Sequence, residues 1–396
     1  MCAFLIEELY LMKMMEKLTR HTSLFLSFAL MLASCGKSMA LATLNKFDDE
    51  AVKSDSISQL SEKPQNIIFL IGDGMGTSQV SAAFFYHEEN KKPNFSRFPI
   101  IGLINTTSGS DKITDSGAGA TAFSIGQKSY NGAIGVDLDG NPLKTINEHL
   151  ESKGWQSGVI STSGITHATP ASFYAHVESR KQQYKIAQSL VHSNISFFAG
   201  GGKKWFTNRP DSINYIDSLI HNGFNIGTEF LGSEDHDKRV GYLLAENGLL
   251  PKHEGRDDFL PKATEEALKY FSTSDKPFFL MVEGSQIDWG GHDNNGEYVI
   301  QEVLDFDQAI GVALDYANTH GNTLVVVTAD HETGGFSLSG DGKSMTGYGD
   351  ILPTFSTKGH TATLIPVFAY GPGAEFFGGV YENTDIFFKF FQAINN

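Results

Sequence analysis

A continuous apolar run that ends in glycines reads Asn66-Ile67-Ile68-Phe69-Leu70-Ile71-Gly72-Asp73-Gly74-Met75-Gly76. Because apolar residues occupy consecutive rather than alternate positions, the run predicts a strand that is buried on both faces, as in a parallel sheet. The glycines predict a tight turn, since glycine adopts backbone conformations that other residues avoid. A helix is expected to follow this turn from about Thr77.

Similar apolar runs recur along the chain and alternate with helical patterns. Further strands are predicted at residues 157–160, 195–199, 278–282, 323–328 and 364–370. Helices are predicted near residues 145–153, 182–192, 212–222, 262–272 and 297–319. This alternation predicts an α/β fold with a doubly wound, mostly parallel central sheet and helices on both faces. Since no repeat or change of composition interrupts the pattern, residues 63–396 are expected to form a single domain.

Residues 1–35 predict a signal peptide. Lys17 and Arg20 precede the apolar run 24–32, which is about half the ~20 residues that span a bilayer. The following Leu32-Ala33-Ser34-Cys35 resembles the lipobox of bacterial lipoproteins, which would make Cys35 a lipidation site. The alternative is an ordinary signal peptide that is cut nearby. The polar, weakly patterned residues 36–62 predict a flexible tether.

These features predict an exported protein, periplasmic or at the cell surface, whose N-terminal lipid is its only attachment to the membrane of the bacterial envelope. Residues 1–13 fit the basic start of a signal peptide poorly, so translation is expected to begin at Met14 or Met15.

Charge and cysteine content narrow the class of partner. The 396 residues carry a formal net charge of −16 at pH 7. No basic stripe is available to neutralise phosphates, so the chain is not expected to bind nucleic acid.

The two cysteines are Cys2 and Cys35, so the predicted domain has no disulfide and must be stabilised by its core and by any bound metals.

Acidic residues follow three of the predicted strands. Asp73 follows the first strand, Glu283 follows the strand at 278–282, and Asp330-His331 follow the strand at 323–328. In doubly wound sheets, ligands bind beyond the carboxyl ends of the strands. These side chains are therefore expected at one functional edge of the sheet.

Asp288 and His292 stand four residues apart, directly after the segment that contains Glu283. On a helix this spacing places both side chains on one face. Carboxylate oxygen and imidazole nitrogen are common Zn²⁺ ligands. A surface pair is the plainer interpretation of the spacing alone, but the position after a strand that ends in Glu283 favours a metal site.

One serine precedes a run of small residues in Thr114-Asp115-Ser116-Gly117-Ala118-Gly119-Ala120-Thr121-Ala122. Small residues let the backbone approach a ligand closely. Two interpretations follow from the residues alone. Ser116 is a nucleophile whose pKa is lowered by its surroundings, or Asp115 or Ser116 simply caps an alanine-rich helix.

A further motif runs from Thr166 to Arg180. Thr169-Pro170 predicts the start of a helix, with Thr169 as its cap. Arg180 offers a planar fork for two phosphate oxygens, although an isolated arginine near a helix end is usually a surface residue. His360 by itself is an ordinary loop histidine.

Taken in order, these motifs resemble those of the alkaline phosphatase family, from about Pro64 to Phe391. The resemblance implies two Zn²⁺ and one Mg²⁺. By position, the first zinc would be held by Asp288, His292 and His360. The second zinc would be held by Asp73, Asp330, His331 and the oxygen of Ser116. The magnesium would be held by Asp73, Thr169 and Glu283.

The same resemblance implies hydrolysis of phosphate monoesters to an alcohol and inorganic phosphate through a covalent phosphoserine on Ser116. Arg180 would bind the phosphate oxygens that are not transferred. Asp115, His167 and Trp289 would surround these groups, with His167 beside the magnesium site. Trp289 would stand at the cleft wall as a hydrogen-bond donor or as a packing residue.

The interval 335–360 is short and rich in glycine and serine, where relatives often carry an insertion. It predicts an open site that accepts a broad range of small-molecule phosphate monoesters, and it leaves both a monomer and a dimer open. The alternatives are a phosphodiesterase or sulfatase of the same superfamily, and a non-catalytic phosphate-binding lipoprotein. Ser116 with Arg180, together with Thr169 and Glu283, favours the monoesterase.

Overall fold

The predicted apolar run forms the first strand, β1, and all of its residues are buried. The computed structural model of the protein describes residues 62–87, 91–232, 237–340 and 351–396. The strands are β1 Asn66–Gly72, β2 Ile100–Asn105, β3 Gln156–Gly164, β4 Phe197–Gly201, β5 Phe224–Gly227, β6 Arg239–Leu243, β7 Phe278–Gly284, β8 Thr323–Thr328, β9 Glu332–Thr333, β10 Ser337–Gly340, β11 Ile351–Thr354, β12 His360–Thr361, β13 Ile365–Tyr370 and β14 Gly379–Glu382.

Helices connect most of these strands. They are α1 Thr77–Phe85, α2 Ser116–Ile125, α3 Ile146–Glu151, α4 Ala168–Ala171, α5 Gln183–His192, α6 Lys204–Thr207, α7 Tyr215–His221, α8 Phe259–Phe271, α9 Gln286–Asp293, α10 Gly296–His320 and α11 Asp385–Asn395. Short 3₁₀ turns occupy Asn94–Arg97, Lys252–Glu254 and Ala374–Phe377. Among the described residues, no helix is both long and apolar enough to cross a membrane.

Ten strands form one mixed sheet in the order β14-β2-β13-β8-β1-β7-β3-β4-β6-β5. Strand β1 is parallel to both of its neighbours, β7 and β8. Strand β13 runs antiparallel to β8 and β2. The prediction of a doubly wound, mostly parallel α/β sheet is therefore confirmed.

Aromatic side chains fill the space between the sheet and the helices on its two faces. Adjacent residues of a strand point to opposite faces, and β7 shows this directly. Phe278 stacks on Phe271 of α8 at a centroid distance of 4.7 Å, whereas Phe279 contacts Phe390 of α11 edge-on at 5.6 Å. Phe69 of β1 contacts Phe390 as well, at 5.1 Å. Both faces of the central strands are thus covered, which explains why their sequences are continuously apolar.

One local prediction was wrong. The helix expected to begin with Thr169 as its cap instead begins at Ala168, and His167 occupies the cap position without a side-chain hydrogen bond to the helix. Pro170 is tolerated because it lies within the first turn, where its missing N–H has no partner to lose. The predicted signal peptide, Cys35, the alternative starts Met14 and Met15, and nearly all of the tether lie outside the described residues.

Candidate active site

Three neighbouring strands bring buried acids to one edge of the sheet. Asp73 follows β1, Asp330 follows β8, and Glu283 lies in β7 in register with Ile71 of β1. All three carboxylates have no solvent exposure. They meet because β8, β1 and β7 are adjacent and parallel, so their carboxyl ends coincide.

The glycine turn after β1 allows the segments at this edge of the sheet to pack closely against one another. Gly74 has a φ of +75°, which favours glycine. A Cβ at this position would lie 2.6 Å from the Cα of Asp288. The Gly74 amide also donates to Asp330 Oδ1 at 3.2 Å. A side chain here would therefore push apart two segments that carry candidate ligands.

The predicted serine motif begins helix α2, and Asp115 is its cap. Asp115 Oδ1 accepts hydrogen bonds from the backbone N–H groups of Ala118 at 3.0 Å and Gly132 at 2.8 Å. Ser116 is the first residue of the helix. The small residues have a packing role, because a Cβ on Gly119 would lie 2.9 Å from the Cβ of Asp330. The helix start can thereby approach the acidic edge.

We define the inner set as Asp73, Asp330 and His331. Each offers one ligand atom, and these atoms lie within 4.8 Å of one another. His331 Nε2 lies 3.6 Å from Asp73 Oδ1 and 3.3 Å from Asp330 Oδ2. The Ser116 Oγ lies 3.3 Å from the same nitrogen. Every member of the inner set is completely buried.

We define the outer set as Asp288, His292 and His360, which satisfies the same distance limit of 4.8 Å. As the spacing predicts, Asp288 and His292 lie on one face of α9, with His292 Nε2 3.4 Å from Asp288 Oδ1. His360 arrives from β12 and places Nε2 3.6 Å from that oxygen. The His292 side chain is 40% exposed, whereas that of Asp288 is 7% exposed.

A third set consists of Asp73, His167 and Glu283, so Asp73 belongs to two sets. Glu283 Oε2 accepts hydrogen bonds from the hydroxyl groups of Ser161 and Ser285, at 2.5 and 2.6 Å. Burial raises the pKa of Glu283 to about 7, although these hydrogen bonds oppose the shift. The Thr169 hydroxyl also lies beside Glu283 and lowers the pKa of its carboxyl.

Arg180 spans the space between the helix cap and the third set. Its Nη1 donates to Asp115 Oδ2 at 3.0 Å, and its Nη2 lies 3.1 Å from His167 Nε2. Hydrogen bonds from the Ala118 backbone and the charge of Arg180 lower the pKa of Asp115 against the effect of its burial. Burial and the Arg180 charge lower the pKa of His167 to about 3. His167 is therefore neutral at physiological pH.

Trp289 forms part of the wall beside these residues. Its ring packs edge-on against the imidazole of His167 at a centroid distance of 6.1 Å. On its other side the ring is so close to the loop at Gly248 that a Cβ there would lie 2.8 Å away. All of the predicted site residues thus lie in one connected region.

The buried carboxylates lack the donors that buried polar groups normally have. Within the described ranges, both oxygens of Asp73, Oε1 of Glu283 and Oδ2 of Asp330 have no hydrogen-bond partner. Burial raises the pKa of Asp73 well above its usual range, and the charges of Asp330, Asp288 and Glu283 raise it further. Such a cluster of buried anions is stabilised when cations are bound, so these residues fit divalent metal ions.

Sequence reasoning missed three residues that support the site. Ser161 and Ser285 hold Glu283, and Glu332 is a buried acid next to His331. A signal for Ser161 was present, because the run at 157–160 continues as β3 and puts Ser161 in register with Glu283. Glu332 gave no comparable signal.

Comparisons with known proteins agree with this geometry. The alkaline phosphatase family model matches residues 64–354. The chain belongs to the alkaline phosphatase family. The match ends before His360, the member of the outer set that comes last in the chain.

Relatives of this family cover most of the chain. Alkaline phosphatase 3 of Bacillus subtilis is 33% identical, over 90% of this chain and 97% of its own length. The alkaline phosphatase of Escherichia coli is 29% identical, over 88% of this chain and 89% of its own. The solved alkaline phosphatase of the Antarctic bacterium TAB5 is 48% identical to this chain. The match covers 85% of this chain and 99% of the TAB5 chain, and the two structures superpose with a TM-score of 0.81.

Proposed function

We propose that this phosphomonoester hydrolase of the alkaline phosphatase family transfers the phosphoryl group of its substrate to Ser116 and then to water. The observation that carries the proposal is the position of Ser116, at the start of α2 and 3.3 Å from His331 of the inner set. Backbone N–H groups at a helix start, together with the helix dipole, favour the anionic group that a substrate phosphate would place there.

The chain's own groups would orient the reacting phosphate. Ser116 Oγ would attack phosphorus as its hydroxyl gives up a proton, and the ester oxygen would leave and take up a proton to become the alcohol, so that one O–P bond forms as another breaks. Arg180 is held by Asp115 and directs its guanidinium toward the same region, where it would donate to oxygens that are not transferred. Attack by water on the phosphoserine would release phosphate and restore the hydroxyl.

The inner and outer sets would each hold a Zn²⁺, and Asp73, Glu283 and Thr169 would hold a Mg²⁺. Bound there, the cations would offset the charge of the carboxylates, lower the pKa of the Ser116 hydroxyl and stabilise charge on the entering and leaving oxygens. Support for the third ion comes from two TAB5 variants in which a histidine is replaced by glutamate or aspartate, because their structures are described with Mg bound.

His167 would lie beside the magnesium rather than bind it. Its imidazole is neutral, and Nε2 faces a guanidinium that can only donate. With Nε2 accepting from Arg180, the proton of the neutral ring would reside on Nδ1, which is buried without a partner among the described residues and could donate to water beside the magnesium.

The decisive experiment compares Ser116→Ala with the unchanged protein on p-nitrophenyl phosphate. Loss of a nucleophile is expected to lower kcat by at least ~10³-fold. Binding of inorganic phosphate should persist, because Arg180 and the helix start remain. Full activity of the variant would contradict the phosphoserine mechanism, and a wild-type protein that binds phosphate without turnover would indicate the non-catalytic lipoprotein.

Substrate class is tested by rates on p-nitrophenyl phosphate, bis-p-nitrophenyl phosphate and p-nitrophenyl sulfate. The monoester should react fastest, and faster turnover of the diester or the sulfate would favour those alternatives. The short interval 335–360 supports an open site with a broad range of monoesters. Strong preference for one monoester in a panel would contradict that part of the proposal.

Metal dependence is tested by metal analysis together with chelation. Activity is expected to disappear with a chelator and to return with Zn²⁺ and Mg²⁺ together. Activity that persisted in protein shown to be free of metal would contradict the three ion sites.

We further propose that the protein is exported and attached by a lipid on Cys35. The basis is sequence alone, namely the apolar run 24–32 and the Leu32-Ala33-Ser34-Cys35 motif. Metabolic labelling with a radioactive fatty acid should mark the wild-type protein, whereas Cys35→Ser should remain unlabelled. Equal labelling of both would contradict the assignment of Cys35, and labelling of neither would favour an ordinary signal peptide.

A further inference from the structure

We infer that Glu332 is a positioning residue that fixes His360 against the inner set, so that its loss weakens metal binding selectively at the outer set. The inference rests on the proposed metal sets. Glu332 belongs to none of the three sets, although it directly follows His331 and is only 3% exposed.

Four hydrogen-bond donors converge on the Glu332 carboxylate. Oε1 accepts from Gln79 Nε2 at 2.8 Å and from the amide of Phe336 at 2.9 Å. Oε2 accepts from the hydroxyl of Thr361 and from the amide of Gly335 at 3.3 Å. A buried carboxylate is costly unless it is paired or well hydrogen-bonded, and here both oxygens are satisfied by two donors each.

The Thr361 bond controls the segment that delivers His360. Strands β9 and β12 contain two residues each and pair antiparallel, with Thr361 opposite Glu332 and His360 opposite Thr333. So short a ladder gives few backbone hydrogen bonds. Outside it, His360 Nδ1 contacts the Thr114 carbonyl at 2.8 Å. The adjacent Gly359 carbonyl accepts from the Gly334 amide at 3.0 Å. The bond between Thr361 and Glu332 adds a side-chain link from β12 to the residue that follows His331.

The Gln79 bond connects the same carboxylate to the turn that follows β1. Gln79 Oε1 accepts from the Gly76 amide at 3.1 Å, and its Nε2 also donates to the Thr333 carbonyl at 3.0 Å. Glu332 thereby joins the segments that carry Asp73, His331 and His360. The two inner-set segments have other support from adjacent sheet strands, whereas β12 does not belong to that sheet.

A carboxylate suits this position better than an amide. An ionised carboxylate only accepts, while a glutamine would turn two N–H donors toward donors that are already present. Glu332→Gln keeps the shape of the side chain and should lose the bonds on one oxygen. Thr361→Val removes only the hydroxyl next to His360, and Thr361→Ser is the matched control that retains it.

The experiment is a Zn²⁺ titration of the full-length protein in competition with a chromogenic chelator. In Glu332→Gln the weaker class of zinc site is expected to lose about 10–100-fold in affinity, the usual effect of removing a residue that orients a metal ligand. Thr361→Val should show a smaller loss in the same class, and Thr361→Ser should resemble wild type. The other class of site should be unchanged.

A double-mutant cycle identifies the affected set. In a His360→Ala background there is no imidazole left for Glu332 to position, so adding Glu332→Gln should produce no further loss of zinc affinity. An additional loss in that background would place the effect at the inner set and overturn the inference.

Thermal unfolding in excess chelator separates positioning from general stability. Equal lowering of Tm in chelated and zinc-loaded protein, with unchanged zinc affinity, would also overturn the inference. If the wild-type protein bound no zinc at either set, the proposed function would be overturned together with this inference, whereas zinc binding in the wild type with unchanged affinity in Glu332→Gln would overturn the inference alone.

Discussion

The inner and outer sets differ in how the chain delivers them. The inner set comes from the ends of adjacent strands, and its side chains have no exposure. The outer set comes from helix α9 and the two-residue strand β12, and its His292 side chain is 40% exposed. The sheet itself fixes the first arrangement, whereas the second depends on side-chain hydrogen bonds. We therefore expect the inner set to retain its metal more firmly and to tolerate substitution less.

Asp330→Asn should have the largest effect. It removes a negative charge from the inner set and replaces one carboxylate oxygen by an N–H donor at a completely buried position. Turnover of p-nitrophenyl phosphate should fall by at least ~10³-fold. Measurement over a wide range of Zn²⁺ concentrations should show little recovery. Complete recovery at high zinc would remove the proposed difference between the sets.

His292→Ala is expected to have a smaller and partly reversible effect. Because this side chain is half exposed, water can take the vacant ligand position. At limiting zinc the loss of activity should be about 10–100-fold, and added Zn²⁺ should restore part of it. A loss as large and as irreversible as that of Asp330→Asn would show that exposure does not separate the two sets.

Gly74→Ala tests the contact between the sets. The variant combines a φ of +75° with a Cβ only 2.6 Å from the Asp288 backbone. We expect the free energy of unfolding to fall by about 1–3 kcal/mol in the metal-free protein, since strain of this kind does not require an ion. Denaturant unfolding in chelator measures it. Ser78→Ala, at a partly exposed position in the first turn of α1, is a control that should change stability little.

The smallest effect is expected from the pair His176 and Glu148, which belongs to neither set. His176 Nε2 lies 3.1 Å from Glu148 Oε1. The Glu148 hydrogen bond and the Gly135 carbonyl raise the pKa of His176 above 6.5 against its burial. The His176 and Thr145 hydrogen bonds lower the pKa of Glu148 below 4.5, also against burial.

The signs of these two shifts define a pH window. The contribution of His176 to the free energy of unfolding is complete below pH 6.5 and is lost as the pH rises through its raised pKa. The contribution of Glu148 is complete above pH 4.5 and is lost as the pH falls through its lowered pKa. The pair should therefore stabilise most between these values, by at most about 1 kcal/mol. The Tm difference between wild type and His176→Gln across pH 4–9 measures this, and zinc retention at both sets should not change. A difference that grows above pH 8 would contradict the assignment.

The inner set was predictable because strand ends carry a strong sequence signal. Asp73 and Asp330 follow continuous apolar runs, and parallel strands align their carboxyl ends. The outer set was predictable only in part. The spacing of Asp288 and His292 indicates a shared helix face, but nothing local to His360 indicates that it joins them.

What could not be predicted depends on contacts between distant residues. Glu332 accepts a hydrogen bond from Gln79, which lies 253 positions earlier in the sequence. The residues around Glu332 show no periodic pattern that would indicate this contact. The edge strands β5 and β14 were missed because each has only four residues and neither is continuously buried: β5 is mostly half-buried and β14 is mostly exposed, so they lack continuous apolarity. Helix α11 was missed although Phe387 and Phe390 pack against the core.

The central place of β1 also determines when the site can form during synthesis. Among the described strands this one leaves the ribosome first, yet its two neighbours, β7 and β8, begin about 200 and about 250 residues later. Gly74 and Asp330, which share a hydrogen bond, are 256 positions apart. An apolar strand must therefore remain without its final partners until most of the chain exists, and contacts of such high sequence separation form slowly. The carboxylates of Asp73, Glu283 and Asp330 therefore cannot meet until β7 and β8 have been made, so the proposed ion sites can assemble only late in synthesis.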